Sequence, residues 1–577
     1  MNIFKELRAD LQKVGLQICK DETIWSLASL EAPKDPLNGD IATNIAMIIA
    51  SKNGENPREI ALKFKDCLSF IPYIAHIEVA GPGFINFTIK AEKWHECIRS
   101  ILDNDHDSWE VNVGQGEKVN IEYVSANPTG PMHIGHARGA VYGDVLANIL
   151  SKCGYIVTKE YYINDAGSQI DTLVDSVILR YKEALTGEEV SIPEGLYPGD
   201  YLKAVGQKLA GEYQDKLLKM EDTVLRQIVK KIAIEEMMSL IKDDLAEIGV
   251  HHDIFFSEQL LHDNKKIDEA VETLRKKNLI YTGILPPPKG KIDEAWEEKE
   301  QLLFKSTDYG DDQDRPIQKS DGSWSYLAAD FAYAKDKIDR GFDTLVYILG
   351  ADHSGYIKRI EAVIEALGDG KVKSDLRTSQ LVNFVKNGQP LKMSKRSGNF
   401  MTVRDVTSEV RKDIIRFIML TRRNDMTLDF DFDKVKEQSK DNPVFYVQYA
   451  HVRARSILAK ATETIPQAHD KFISKDFDLS LLSTEEEFQL IKLLASWPKI
   501  LASAARHREP QKVAYYLIDV ASRFHSIWNL GKENNEYRFN IGDDIELTAA
   551  RLALAESVRK IIAEGFKVIG VTPMDRM

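Results

Sequence analysis

Asn127-Pro128-Thr129-Gly130-Pro131 puts two prolines and a glycine into five residues, and no regular structure runs through such a stretch. Before it, Val119, Ile121 and Tyr123 alternate with Asn120 and Glu122, the period of a strand. After it, Val141, Val145 and Ile149 share one face of a helix that ends before Gly154. Residues 119–150 therefore read as strand, tight turn and helix, the opening of a parallel-sheet unit. His133, Gly135 and His136 fall where the turn becomes the helix. Free backbone N–H groups and the positive end of the helix dipole meet two imidazoles there, an arrangement suited to an anion.

A second strand over 155–163 completes the unit and runs into Asn164-Asp165-Ala166-Gly167. Residues 344–349, TLVYIL, form a continuous apolar run, as in a parallel strand buried on both faces. That run ends in Gly350-Ala351-Asp352-His353-Ser354-Gly355. Ligands of open α/β sheets bind beyond the carboxyl ends of the strands, so this loop is a candidate site. Ser325-Tyr326-Leu327 reads as sheet-like and leads into a helix over 329–340. Between the two halves lie amphipathic helices over 222–248 and 264–277, a Pro286-Pro287-Pro288 hinge and an acidic, turn-rich run at 308–314. The expected fold is α/β, a doubly wound (Rossmann-like) parallel-sheet domain over 118–407 with a helical insertion at 168–320.

Two further modules flank it. Residues 1–107 read as an N-terminal α/β module, with helices over 6–20, 42–51 and 57–70 and strands over 76–80 and 84–89. The polar stretch 103–117 is the boundary. Residues 381–385 and the turn at Asn387-Gly388 read as a hairpin, and Thr402 and Asp405 as a capping-box-like helix start. From 408 to 577 the pattern is helical, with main helices over 441–459, 484–506, 511–529 and 546–569 and no strand expected, an all-α bundle.

A chain of 577 residues is too long for one core, so three or more domains are expected. Hydrophobic content of 43% and charged content of 29% suit a soluble protein, and no apolar run reaches the roughly 20 residues needed to span a bilayer. The first fifteen residues have acidic groups and helical spacing rather than a signal peptide's blocks, which points to the cytoplasm. Cys19, Cys67, Cys97 and Cys153 form no Cys-x-x-Cys pair, which argues against a disulfide framework and a structural zinc. Their expected role is buried filler. The net charge of −13 confines any nucleic-acid footprint to a restricted basic patch.

Ala126-Asn127-Pro128-Thr129-Gly130-Pro131-Met132 leading into His133-Ile134-Gly135-His136 resembles the first signature of class I aminoacyl-tRNA synthetases. Lys392-Met393-Ser394-Lys395 resembles their second, and it follows the first in the expected order. The wider run from Glu122 through Asn127 to Gly139 resembles the arginyl family in particular, as do the N-terminal module and the closing stretch 550–577. The resemblance covers essentially the whole chain.

That resemblance implies ATP-dependent activation of arginine and its transfer to the 3′ end of a tRNA. Activation builds negative charge on the α-phosphate and the departing pyrophosphate, which cations and helix-terminus donors stabilise. By resemblance, His133 and His136 serve the phosphates, Gly135 lets adenosine approach, and Lys392 and Lys395 close over the pyrophosphate. Met393, Ser394, Gly350 and Asp352 would contact the nucleotide. Glu122, Asn127, Tyr326, Asp330 and His353 match the family's arginine-binding positions, and two carboxylates with an aromatic face suit a guanidinium. Tyr446, Tyr449 and Arg453 interleave aromatics with a base on one helix of an anticodon-binding bundle, where unpaired bases stack. The N-terminal module would contact the tRNA elbow. Magnesium would accompany ATP, no zinc or membrane is expected, and the family implies a monomer.

Three alternatives stand beside this. A class I synthetase for another amino acid shares the two signatures, although the cysteinyl type needs a zinc thiolate site that these cysteines are ill placed to form. A non-catalytic tRNA-binding paralogue is expected to lack a signature histidine or lysine. A nucleotidylyltransferase with the same first motif leaves the helical C-terminal region unexplained.

Overall fold

The structure is a computed structural model that describes residues 2–577 except 22–23, 26, 34, 104–110, 286–298, 320 and 391–400. The chain begins with α1 (Ile3–Ile18), whose first turn is capped by the Asn2 side chain. Strands β1 (Leu30–Glu31) and β2 (Ile41–Thr43) follow, then α2 (Ile45–Asn53), α3 (Pro57–Leu68), β3 (Ile74–Ala80), β4 (Phe84–Ile89) and α4 (Ala91–Leu102). The four strands form an antiparallel sheet in the order β1-β2-β4-β3. The helix expected from residue 42 instead starts at Ile45. Ile41 and Thr43 bury their β-branched side chains on one face of β2, and Asn44 ends the strand.

A five-stranded parallel sheet occupies the centre. It is built from β5 (Lys118–Tyr123), β6 (Ile156–Ile163), β7 (Ile254–Ser257) and the later β11 and β12, in the order β12-β11-β5-β6-β7. Helix α5 (Ala137–Lys152) joins β5 to β6 and buries Val141, Val145 and Ile149. Between β6 and β7 come α6 (Ser168–Thr186), α7 (Tyr201–Tyr213) and α8 (Asp222–Glu247), which share their own apolar core around Leu173, Tyr181, Leu202, Leu209 and Val229. After β7 the chain makes α9 (Gln259–Asp263), α10 (Lys266–Lys276) and a small antiparallel sheet of β8 (Ile280–Ile284), β9 (Glu300–Phe304) and β10 (Arg315–Pro316). Then follow α11 (Tyr326–Asp339), β11 (Thr344–Gly350), α12 (Ile357–Gly368) and β12 (Lys373–Ser379).

Two readings are corrected here. Residues 168–320 are not all insertion, because β7 supplies the fifth strand of the central sheet. Its four residues are too few for a period to register. Ser325-Tyr326-Leu327 is not sheet-like: Ser325 is the N-cap of α11, and Tyr326 and Leu327 lie in its first turn.

The C-terminal part opens with β13 (Val382–Lys386) and β14 (Gln389–Pro390), the expected hairpin. Helix α13 (Val403–Glu409) starts with a reciprocal Thr402–Asp405 capping box, and α14 (Lys412–Met419) follows. A strand does appear beyond 408, contrary to expectation. It is β15 (Leu428–Asp431), which pairs in parallel with β13 and buries Leu428 and Phe430 on one face. The bundle proper consists of α15 (Pro443–Thr464), α16 (Pro466–Ile473), α17 (Glu485–Ala495), α18 (Trp497–His507), α19 (Gln511–Glu533) and α20 (Ile545–Ile569). The single helix expected over 484–506 is two helices broken at Ser496. Pro498 has no N–H to give the preceding turn and is tolerated only at a helix start.

One apolar cluster runs from the N-terminal sheet through the central sheet into the bundle. Polar ties cross the same path: Lys492 to Asp40 at 2.7 Å, and Lys560 to the Leu102 carbonyl at 2.6 Å. Cys19, Cys97 and Cys153 are buried filler, but Cys67 is exposed on the outer face of α3. No helix among the described residues is long and apolar enough to cross a membrane.

The deepest polar tie is Arg416 of α14. Its guanidinium donates to the carbonyls of Ile248 (2.9 Å) and Ile569 (2.8 Å) and to Asp144 Oδ2 (2.6 Å), and Lys159 takes the other Asp144 oxygen at 2.7 Å. Gly570, at φ +70°, caps α20 against this guanidinium, where a side chain would collide with it. Arg416→Met keeps the bulk but takes one of two cations from a buried carboxylate and the donor from three carbonyls. A loss of about 3–5 kcal/mol is expected in the transition that unfolds this region, read by urea denaturation. A midpoint unchanged from wild type would mean that the three segments do not depend on this group.

Candidate active site

Glu122 stands near the end of β5, in register with Glu160 of β6 and Tyr347 of β11. The chain then does something costly. Val124 has φ +71° and Ser125 φ +40°, a left-handed pair without a glycine. Each such residue stores on the order of 1–3 kcal/mol, and a β-branched residue there is a genuine outlier. The kink is held by Ser125, whose hydroxyl donates to Glu122 Oε1 and accepts from the Tyr162 amide, both at 3.1 Å. The Ala126 carbonyl is held by Tyr161 at 2.6 Å, and the Asn127 amide donates to Gln169 at 2.9 Å. Gly130 (φ +154°) lies under the Tyr201 ring, whose hydroxyl donates to Thr129 O at 2.9 Å.

The turn of Pro131 and Met132 leads into a 3₁₀ turn over Ile134–His136 before α5 begins. The His133 and His136 rings stack at 3.7 Å and 21°. Gly135 backs onto the His133 imidazole, which a side chain there would strike. This segment is strapped to residues 401–403: Ile134 N donates to Met401 O (3.0 Å), Val403 N to Met132 O (2.9 Å), and His133 bridges to Thr402. Lys392, Met393, Ser394 and Lys395 lie outside the described residues. The C-terminal flank of their segment is nonetheless fastened to the histidine turn.

Asp244 of α8, fully buried, makes a second fastening. One oxygen accepts the Met132 amide (2.8 Å) and the other accepts Arg404 of α13 (2.9 Å). A helix of the interrupting region thereby grips both ends of the strap. Nothing in the sequence marked Asp244, because its partners are remote in sequence.

Beyond β5 and β6 the carboxylates gather. Asp330, on the second turn of α11, is half-buried and pushed up to about 7 by burial first and then by Glu258 and Glu122, with Arg359 and Lys337 opposing. Glu258, just past β7, is 5% exposed and raised chiefly by its burial. Tyr162 feels all three carboxylates and packs against the Tyr333 ring at 4.4 Å. Glu122 is 7% exposed, and its Oε2 is 2.6 Å from the fully buried Lys337 Nζ. Glu258, Ser125, Tyr162 and Lys337 were all missed from the sequence. Only Lys337 had a visible signal, since it lies two helical turns after Asp330 and hence on the same face.

The structure brings Glu122 and Asp330 into one electrostatic group. Tyr326, one turn before Asp330, is 57% exposed with Lys319 over its ring at 5.6 Å. Gly350 ends β11 and leads into a 3₁₀ segment, Ala351–Tyr356. There the Asp352 and His353 side chains are 82% and 57% exposed and face each other at 3.6 Å. These two sit on an open loop and are not part of the buried carboxylate group.

In the bundle, Tyr446, Tyr449 and Arg453 are half-buried along α15. Tyr446 meets His525 edge-on at 4.7 Å, and the Arg453 guanidinium lies 5.2 Å over Trp528 while also touching His525. Burial lowers His525 to about 4, so at neutral pH the imidazole beside Arg453 carries no charge. Two of the three residues are therefore held against α19, and Tyr449 packs at the edge of the core.

Asp244→Ala removes both acceptors that hold the signature turn to α13. Losing the carboxylate's bond to a buried amide is worth about 1.5–3 kcal/mol. The amides of Met132, Ile134 and Val403 are expected to exchange with deuterium about 10–100 times faster, while the core of β11 keeps its wild-type rate. Unchanged exchange at all three amides would show that the strap stands without Asp244.

Comparison with known proteins agrees with this layout. A family model described as "Arginyl tRNA synthetase N terminal domain" matches residues 1–89, "tRNA synthetases class I (R), catalytic domain" matches 97–455, and "DALR anticodon binding domain" matches 447–577. The chain is 63% identical to an arginine–tRNA ligase of Rickettsia bellii and 61% identical to one of Rickettsia felis, over the full length of both chains in each case. Among solved structures, Thermus thermophilus arginyl-tRNA synthetase superposes with a TM-score of 0.73 over all of both chains at 17% identity, a likeness of fold. With identity this high across its whole length and a class I catalytic match across most of it, the chain belongs to the arginyl-tRNA synthetase family of class I.

Proposed function

We propose that this protein is an arginine–tRNA ligase. The arginine carboxylate attacks the α-phosphorus of ATP, a new P–O bond forms, and pyrophosphate leaves. A hydroxyl of the tRNA 3′-terminal ribose then attacks the arginyl carbonyl and AMP departs. The observation that carries the reading is the cluster of Glu122, Asp330 and Glu258 beyond the ends of β5 and β7, carboxylates that suit a cationic substrate. Full-length kinship with arginine–tRNA ligases supports it.

In this reading Glu122 and Asp330 hold the guanidinium, with Tyr326 and His353 at the open side and Asn127 at the amino-acid end. His133 and His136 face the phosphates across Gly135, and Gly350, Asp352, Met393 and Ser394 accommodate the nucleotide. Lys392 and Lys395 neutralise the pyrophosphate, and magnesium enters with ATP as part of the substrate. No protein nucleophile is required, because the substrate supplies its own. Tyr446, Tyr449 and Arg453 read the anticodon. The protein works as a cytoplasmic monomer, and tRNA binding precedes arginine activation.

Arginine-dependent exchange of pyrophosphate into ATP is expected with cognate tRNA present and weak exchange without it. Exchange driven by cysteine or glutamate and not by arginine would sink the assignment. A second expectation concerns pH. In the empty pocket Asp330 titrates at about 7, and a bound guanidinium favours its ionised form, so binding expels a proton below that value. The arginine KM is therefore expected to rise, by up to about tenfold per unit, as pH falls through 7 and to level off above it. Asp330→Asn should show a high KM with that slope removed; a wild-type KM flat from pH 6 to 8 would place Asp330 outside the binding step.

A further inference from the structure

Lys337 is the least expected charge in the molecule. Its side chain is fully buried, and an unpaired ammonium there would cost several kcal/mol. The lysine occupies a closed cage: Nζ is 2.6 Å from Glu122 Oε2, 4.1 Å from the centre of the Tyr333 ring and 4.0 Å from that of Tyr347. An ammonium attracted to one carboxylate and two ring faces is well satisfied. The neighbouring carboxylate, Glu160, feels the charge of Lys337 but makes its own bonds elsewhere. Glu160 is taken up by two bonds from Arg340 (2.7 and 2.9 Å), by the Tyr333 hydroxyl (2.7 Å) and by the Asn120 amide (2.7 Å). The hydrogen bond of Lys337 goes to Glu122.

The consequence falls on the pocket. With Oε2 drawn inward by Lys337 and Oε1 holding Ser125, Glu122 is fixed at both oxygens before any substrate arrives. Only the Oε1 side remains for a ligand, so Glu122 offers one oxygen and leaves the rest of the guanidinium to Asp330. Lys337 also offsets part of the charge of Glu122, which together with Glu258 still raises Asp330.

Building on the arginine–tRNA ligase reading, we infer that Lys337 is a positioning residue that sets the specificity of the amino-acid pocket, by holding Glu122 with a single oxygen presented to a charged guanidinium. Without it, nothing holds Oε2 of Glu122, and the oxygen that faces the guanidinium is no longer fixed. Arginine then loses a charge-assisted contact that a neutral isostere such as citrulline never makes.

The test uses the full-length protein with tRNA in pyrophosphate exchange, comparing Lys337→Met with wild type. The arginine KM is expected to rise about 10–100-fold, the loss of one charge-assisted contact. The ATP KM should stay within twofold. The ratio of arginine to citrulline kcat/KM should fall at least tenfold. Lys337→Arg should restore part of each value. Because a lone buried carboxylate can prevent folding, Glu122→Gln is compared with Glu122→Gln/Lys337→Met, in which both charges are gone. If Lys337 acts through Glu122, adding the second substitution leaves the arginine KM of the first unchanged within twofold. An arginine KM of Lys337→Met within twofold of wild type overturns the inference, as do equal losses for ATP and arginine or a further loss in the double variant. A wild-type protein with no arginine-dependent exchange instead overturns the ligase reading itself.

Discussion

Arg416 is 1% exposed and has no water to solvate its charge, so its position is dictated by what can replace water around it. What replaces it comes from three distant parts of the chain: Asp144 on α5, the carbonyls of Ile248 and Gly249 after α8, and the Ile569 carbonyl at the end of α20. The histidine pair stands at the N-terminal end of the same α5. Arg138, two residues beyond His136, is likewise buried and donates to the carbonyls of Gln380, Arg423 and Met426. The helix that presents the signature turn is therefore pinned from below by one guanidinium and from its flank by another. Both link it to the segments around the bundle. A turn that holds two stacked imidazoles gains its rigidity from these ties rather than from its own short 3₁₀ turn.

The site end of β5 shows the opposite economy. Val124 and Ser125 hold left-handed conformations that cost energy, and the surrounding bonds over-determine them. Ser125 links the kink both to Glu122 and to β6, so the strand's last carboxylate and the neighbouring strand are locked through one hydroxyl. A glycine at 124 or 125 would relax the kink and loosen that lock. Strain here orients the carboxylate of Glu122.

Much of this was legible in the chain. The strand, turn and helix of 119–150 are set by local chemistry, since alternation, two prolines and a four-residue apolar spacing each act over a few residues. The same holds for the β11 run and the Thr402 capping box. What escaped depends on partners far away in sequence. β7 and β15 are four residues each, and they become strands only because β6 and β13 supply ladders for them. The helix over 484–506 failed at Pro498, a local signal outweighed by the apolar pattern on either side. Lys337 and Glu122, or Asp244 and Met132, are joined only by the fold. The identity of a buried charge shows in sequence, but its counter-ion does not. Asp352 and His353, marked by their place beyond a buried strand, stand on a loop with their side chains exposed.

A pocket for a cation has to survive when the cation is absent. Three buried or half-buried carboxylates within reach of one another repel, and burial adds a desolvation cost to each. This protein answers in two ways. Lys337 is permanent, because it is sealed between two tyrosine rings behind Glu122 and no substrate can reach it. The proton on Asp330 is exchangeable, because that carboxyl is half-buried and titrates near neutrality. An arriving guanidinium therefore replaces the proton and leaves the lysine in place. A neutral analogue brings no charge with which to make that exchange. In the ligase reading, discrimination draws on the charge state of Asp330 as well as on the fixed oxygen of Glu122.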